Sequence, residues 1–201
     1  MADQDEVALV AVVEDSAVAA VVLVVAVHRG GGDMRKLNFP RIAKHMLSMH
    51  SQLKRSFPPA SLDAIERAIK QCEANHLGEI RFVIESALDC AAVFADQTTR
   101  ERAIEVFSQV GVWDTEHNNG VLIYVLLAER EVEIIADRGI YRKTGINAWN
   151  QICHQIEAAF KQDRYEEGVI QGIQAVGMHL NTHYPASGEN INELPDKPIL
   201  L

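Results

Sequence analysis

The sequence predicts an α/β fold: a three-layer α/β/α sandwich built on a small mixed β-sheet. Three observations carry this. Residues 120–127 are nearly all apolar, the pattern of a central strand covered on both faces. Residues 79–86 form an earlier strand, separated from the first by a helical segment, so the two should be parallel with a right-handed crossover. Residues 131–136 follow after only a polar break at Glu129-Arg130, too short for a crossover, so this third strand should be an antiparallel neighbour.

The elements follow in chain order. Residues 42–55 form a basic helix with Ile42, Met46, Leu47, Met49 and Leu53 as its apolar positions, and Pro58-Pro59 stops it. Ser61 is a suitable N-cap for a second helix whose stripe is Ile65, Ala68, Ile69 and Cys72. Gly78 suits a left-handed C-terminal position after it. In the strand at 79–86, Ile80, Phe82 and Ile84 share the better-buried face, and Arg81 and Glu85 take the other. Thr98 and Glu101 make a capping box for a helix to about Gln109, with Ala103, Ile104 and Phe107 inward. After the hairpin come helices at about 147–160 and 166–181, the second carrying Gly168, Gly172 and Gly177 as close-packing positions. Trp113 and Trp149 are expected to anchor their segments to the core. Residues 185–201 hold Pro185, Pro195 and Pro198 with little periodicity and read as a tail across the surface.

This divides the chain into an N-terminal extension (1–33), a basic helix (34–58), an α/β domain (60–184) and a C-terminal tail (185–201). In the extension, residues 7–13 and 17–27 are apolar, but Glu14, Asp15 and Ser16 split them, and neither run reaches the roughly 20 residues needed to span a bilayer. The start is acidic where a signal peptide is basic, and Met34 is a candidate functional start. The expected location is cytoplasmic or peripheral to the inner membrane. With 48% hydrophobic and 23% charged residues among 201, the chain can bury a substantial core. A net charge of −9 argues against general nucleic-acid binding, which needs clustered Lys and Arg. Charge is uneven, however: six basic and no acidic residues lie within 35–55. That helix either meets an anionic membrane surface or a protein partner, or simply covers the domain. Cys72, Cys90 and Cys153 are odd in number, widely spaced and without a C-x-x-C, so they read as buried or inert thiols.

Topology places the candidate site. The loop at 111–119 precedes the central strand, and the antiparallel strand ends at Asp137, at the same end of the sheet. Asp114, Asn118, Asn119 and Asp137 therefore converge, with Glu116 and His117 nearby, Arg138 beside them, and the helix at 147 starting from there. Oxygen ligands of this kind suit a hard cation, Ca²⁺ or Mg²⁺. Arg138 with a helix N-terminus suits an anion such as phosphate. The plainer alternative is structural: Asn118-Asn119-Gly120 is also a turn into a strand, and Asp137 a cap with Arg138 as its ion-pair partner. His179 and His183 are four apart but lack a Glu in the H-E-x-x-H position and a third ligand; they read as the polar last turn of their helix. A second acidic patch, Asp89 with Asp96, reads as a solvated loop. No G-x-S-x-G, Walker A or dinucleotide fingerprint is present.

The same segment carries a family resemblance. Asn118-Asn119-Gly120 leading into Val-Leu-Ile-Tyr-Val-Leu, a short turn, a β-rich run and a closing glycine resembles the TPM domain, over about 60–184. Trp113 to Thr115, Ala136 to Ile140 and Asn192 to Asp196 are similar to the short bacterial members of that family, which also includes a thylakoid-lumen protein of photosystem II repair. The resemblance implies the same three-layer fold. It also implies two activities to be weighed: divalent-metal binding, as for some bacterial relatives, and acid phosphatase activity, as for a plant relative. The leading expectation is a binding or interaction module with a cation at Asp114, Asn118, Asn119 and Asp137. Phosphomonoester hydrolysis at the same end is the alternative, and membrane-surface action through the basic helix a further one.

Overall fold

The computed structural model describes Arg41, His45, residues 50–186 and residues 191–201. The extension at 1–33, Met34 and most of the basic helix's apolar face lie outside these residues.

A four-stranded mixed sheet runs in the order β3-β2-β1-β4. Strand β1 (Ile80–Glu85) pairs parallel with β2 (Val121–Leu126), from Ile80 opposite Val121 to Glu85 opposite Leu126. Strand β2 pairs antiparallel with β3 (Glu131–Ala136), from Val121 opposite Ala136 to Leu126 opposite Glu131. Arg130, at φ 56°, completes the hairpin turn. Both pairings match the sequence expectation. The fourth strand was not expected: β4 (Ile199–Leu200) pairs parallel with β1 at Val83 and Ile84, so the supposed tail completes the sheet.

Helices among the described residues cover both faces. On one side lie α1 (His50–Ser56), α2 (Pro59–Glu73), α6 (Ile146–Phe160) and α7 (Tyr165–His183). Their core joins Phe57, Ile65, Ile69, Trp149, Ile156, Val169 and Val176 to Phe82, Ile84, Val121, Ile123 and Val125. On the other side lie α3 (Cys90–Phe94) and α4 (Thr99–Gln109), where Val93, Ala103 and Val106 pack on Val83, Leu122, Tyr124 and Leu126. The period-2 alternation of β2 thus feeds two separate cores, as an apolar central strand must. The short α5 (Arg138–Thr144) follows β3.

Several local expectations are corrected. Helix α2 begins at Pro59 with Pro58 as its N-cap, because proline is pre-set for a first turn; the Ser61 hydroxyl instead reaches Glu166, at 2.5 Å. Gly78 is not left-handed: the methyl groups of Leu180 occupy the place its Cβ would take. Strand β1 is buried on both faces, because Glu85 meets Arg102 from α4 and the Tyr124 hydroxyl, which donates to it at 2.6 Å. Ile104 is exposed, and so is Trp113, whereas Trp149 is 1% exposed and anchors α6 as expected. Gly168 and Gly172 do lie against α6, and Gly177 against Cys72 of α2, with no room for a methyl group.

Candidate functional site

The hairpin fold-back forms as the pattern of residues requires. The Asp137 N–H donates to the Gly120 carbonyl at 2.8 Å, extending the β2–β3 ladder by one pair, and the Ile140 N–H donates to the Asn118 carbonyl at 3.3 Å. Asn118 itself has φ 52°, a conformation Asn tolerates better than most residues. Two glycines permit this closeness: a Cβ on Gly120 would strike the Val112 carbonyl, and one on Gly139 would strike the carbonyl of Asn118.

Four of the five candidate residues are drawn together by these bonds. The Arg138 guanidinium Nε donates to Asn118 Oδ1 at 2.9 Å. Asp137 is the N-cap of α5, one carboxylate oxygen accepting the Arg138 N–H at 2.6 Å. Its other oxygen, Oδ2, is buried with no hydrogen-bond partner among the described residues. Asn119 is fully buried, and its Nδ2 donates to the Leu77 carbonyl at 2.8 Å, bracing the loop against the entry to β1. The Asn119 carboxamide oxygen is likewise buried and unpartnered. Asp114 is exposed on the same loop, and no hydrogen bond among the described residues ties its carboxylate to the other four. Glu116 and His117 are exposed as well.

The sequence expectations divide here. Asp137 does cap a helix, but that helix is α5, which the sequence reading missed, and its first turn is already occupied by the Asp137 carboxylate. The helix expected at 147 starts at Ile146 after Gly145, eight residues beyond Arg138, so its N-terminus follows α5 and not β3. Arg138 is held by the Asn118 carboxamide; no ion pair with Asp137 occurs among the described residues. Among those residues, no group of three or more His, Cys, Asp or Glu side chains is placed to hold a metal ion.

Elsewhere, Asp89 caps α3 through the Ala92 N–H, and Asp96 pairs with Arg41 at 3.0 Å. Arg41 also bonds Glu129 at 2.7 Å, and His45 meets the same carboxylate. The described part of the basic segment is therefore fastened to the domain, with Lys54 and Arg55 exposed. His179 lies edge-on to Trp149, ring centroids 5.5 Å apart, and burial lowers its pKa. Burial pushes the Cys72 thiol up to about 11 and the Cys153 thiol up to about 12, which disfavours the thiolate form of both. No helix of the described residues is long and apolar enough to cross a membrane.

One group at this end of the sheet escaped the sequence reading. Glu73, Glu79 and Arg81 are buried together beneath the C-terminal segment, facing Asp196. The available signal was two charged residues, Glu79 and Arg81, on one face of the first strand's entry, a face read as the less buried one because no pattern pointed to residues 192–196 as its cover.

With this geometry in place, the comparisons identify the family. The TPM domain model matches residues 53–179, and the chain belongs to that family. The BA42 protein of the psychrophilic bacterium Bizionia argentinensis, solved by NMR, is 30% identical over 71% of this chain and 93% of its own, with a TM-score of 0.63. The N-terminal domain of a protein from P. gingivalis shares the fold at 17% identity and a TM-score of 0.53, again over 71% and 93% of the two chains. No curated protein matches.

Proposed function

We propose that this TPM-domain protein is a binding module whose ligand end is the fold-back of β2 and β3, and that the ligand is a divalent cation, Ca²⁺ or Mg²⁺. The single observation that supports this is the free oxygen of Asp137. A buried carboxylate oxygen needs a proton, a water or a cation. Here the other oxygen is spent on the α5 cap, and the 111–119 loop that is bonded to this turn carries further oxygens: the Asn119 carboxamide, also unpartnered among the described residues, and the exposed carboxylate of Asp114. Hard cations take such oxygen sets and tolerate waters in the remaining positions. Arg138 opposes a cation by its charge, but its guanidinium is drawn toward Asn118. This reduces the expected set of four ligands to three side chains, with Asn118 holding Arg138 aside.

The test uses Asp137→Asn, which keeps an N-cap residue and removes the charge. Millimolar CaCl₂ or MgCl₂ should raise the melting temperature of the wild type and leave that of Asp137→Asn unchanged. Equal shifts in both, or none in either, end the reading. Hydrolysis of p-nitrophenyl phosphate that vanishes in Asp137→Asn would replace it with a phosphatase at the same end.

A further inference from the structure

The C-terminal segment is fastened by two unlike devices. One is a sheet edge: the Leu201 N–H donates to the Ile84 carbonyl at 2.9 Å, and the Ser86 N–H donates to the Leu201 carbonyl at 3.2 Å. Leu194 and Ile199 add apolar contact with the second core. Two residues of ladder are little on their own, since short strand pairs are marginal in water.

The other device is a set of buried carboxyl groups. Glu79 accepts the N–H groups of Glu193 and Leu194, at 3.3 and 3.2 Å, and Glu193 in turn accepts the N–H of Glu116 at 2.9 Å. Glu73, 6% exposed at the end of α2, accepts the Ile80 N–H at 2.7 Å with one oxygen. Its carboxyl group also hydrogen-bonds to that of Asp196. Two carboxyl groups share a hydrogen bond only when one of them carries a proton. Arg81, equally buried, is the cation of the group among the described residues; its charge is drawn to Asp196, Glu73 and Glu79, although its Nε and Nη1 have no hydrogen-bond partner there.

We propose that residues 191–201 are a proton-held strap: a hydrogen on Glu73 joins α2 to Asp196, and its loss loosens the segment from the edge of β1. Glu73 is buried, with Glu79 and Asp196 adding like charge, and its pKa is pushed up to about 9 despite the opposing Ile80 N–H. Among the described residues, the facing groups are Cys72 on α2, Glu79 just before β1, Arg81 on β1, and Glu193 and Asp196 on the strap. An ionised Glu73 adds its charge, among these described residues, to those of Glu193 and Asp196 beside the Arg81 guanidinium. Glu79 is raised too, chiefly by burial, so its charge is disfavoured in the same sense. The closed state holds more protons than the open one, so the closed-to-open ratio falls as pH rises toward 9, by up to about tenfold per unit. Opening bares the β1 edge and frees the Glu116 N–H, which belongs to the loop of the candidate site. The inference stands on the strap's own contacts and does not depend on the cation.

The experiment is amide hydrogen exchange on the full chain from pH 6.5 to 9.5, reported as protection factors so that the intrinsic rate cancels. Protection of Leu201, Leu194 and Ser86 should fall with pH in the wild type, while that of Ile123 in central β2 falls less. In Glu73→Gln, whose side chain stays neutral and still hydrogen-bonds, the fall of the strap's protection with pH should be clearly shallower, what remains coming from Glu79. Asp196→Asn, a substitution on the half-buried strap itself, should lessen the fall as well and decides the matter if Glu73→Gln does not fold. Protection that is flat in the wild type, or a fall as steep in the variants as in the wild type, overturns the proposal.

Discussion

The Arg102–Glu85 pair between α4 and β1 gives the sharpest test of the packing argument. Arg102 donates to Glu85 through Nε and Nη2, at 2.8 and 3.1 Å, and the Tyr124 hydroxyl donates to the same carboxylate. The side chains of Arg102 and Glu85 are 20% and 10% exposed, so the pair sits largely out of water. The bond to Glu85 raises the Arg102 pKa further, and burial raises that of Tyr124. Arg102→Met keeps the aliphatic stem and leaves the carboxylate with one neutral donor. Breaking a buried pair costs roughly 3–5 kcal/mol, and the partial exposure of Arg102 places this case at the lower end, about 3 kcal/mol. In a chain of this size that lowers Tm by roughly 6–12 °C. Glu85→Gln with Arg102→Met removes both charges while an amide oxygen still accepts from Tyr124, and should recover at least half of the loss. Urea unfolding with matched m-values gives the free energies. A single variant melting within about 2 °C of the wild type, or a double variant no better than the single, refutes the claim that this face of β1 is buried through its ion pair.

Other outcomes follow from the same structure. Gly139→Ala should destabilise by about 1–3 kcal/mol through overpacking against the Asn118 carbonyl, and should move the amide resonances of Asn118 and Ile140 more than those of β1. Glu73 and Glu79 have raised folded pKa values, so the folded state holds protons that the unfolded state has released. Stability should therefore fall as pH rises from the ordinary carboxylate range toward 9, and Glu73→Gln should lessen that slope in melts recorded from pH 5 to 9. Burial lowers the pKa of His76 and His179, so below their ordinary value near 6.5 the unfolded state binds protons first, and these two histidines should oppose the carboxyl contribution and flatten the profile on the acid side. Iodoacetamide at pH 7.5 should leave Cys72 and Cys153 unlabelled in the native protein and label both in urea; fast native labelling of either would contradict their burial.

The sheet was legible because its signals are local. Residues 120–127 are apolar throughout, and a turn of a few residues permits only an antiparallel partner. The capping box at Thr98 and Glu101 is a contiguous pattern and formed as expected, with both reciprocal bonds present. What was illegible depends on distant partners. Arg81 and Glu85 alternate with apolar residues and so mimic a solvent face, yet the groups that bury them come from α4, from Tyr124 and from the C-terminal strap. Strand β4 has two residues and no periodicity to detect. Helix α5 is a seven-residue segment with a glycine in it, below the length at which an apolar stripe is visible. For the site, topology alone was enough to bring Asn118, Asn119, Asp137 and Arg138 to one end. Which atoms are already taken, Asn118 by Arg138 and one Asp137 oxygen by the α5 cap, depends on side-chain geometry that no spacing encodes.

The central claim is that the unpartnered oxygen at the end of β3 awaits a divalent cation. A calcium titration followed by ¹H–¹⁵N spectra tests it most directly. The amides of Asn119, Asp137 and Arg138 should shift in a saturable way at millimolar calcium, with strand β1 unmoved and Asp137→Asn silent. Spectra in which those three amides stay still while other regions move, or in which nothing moves, would contradict it.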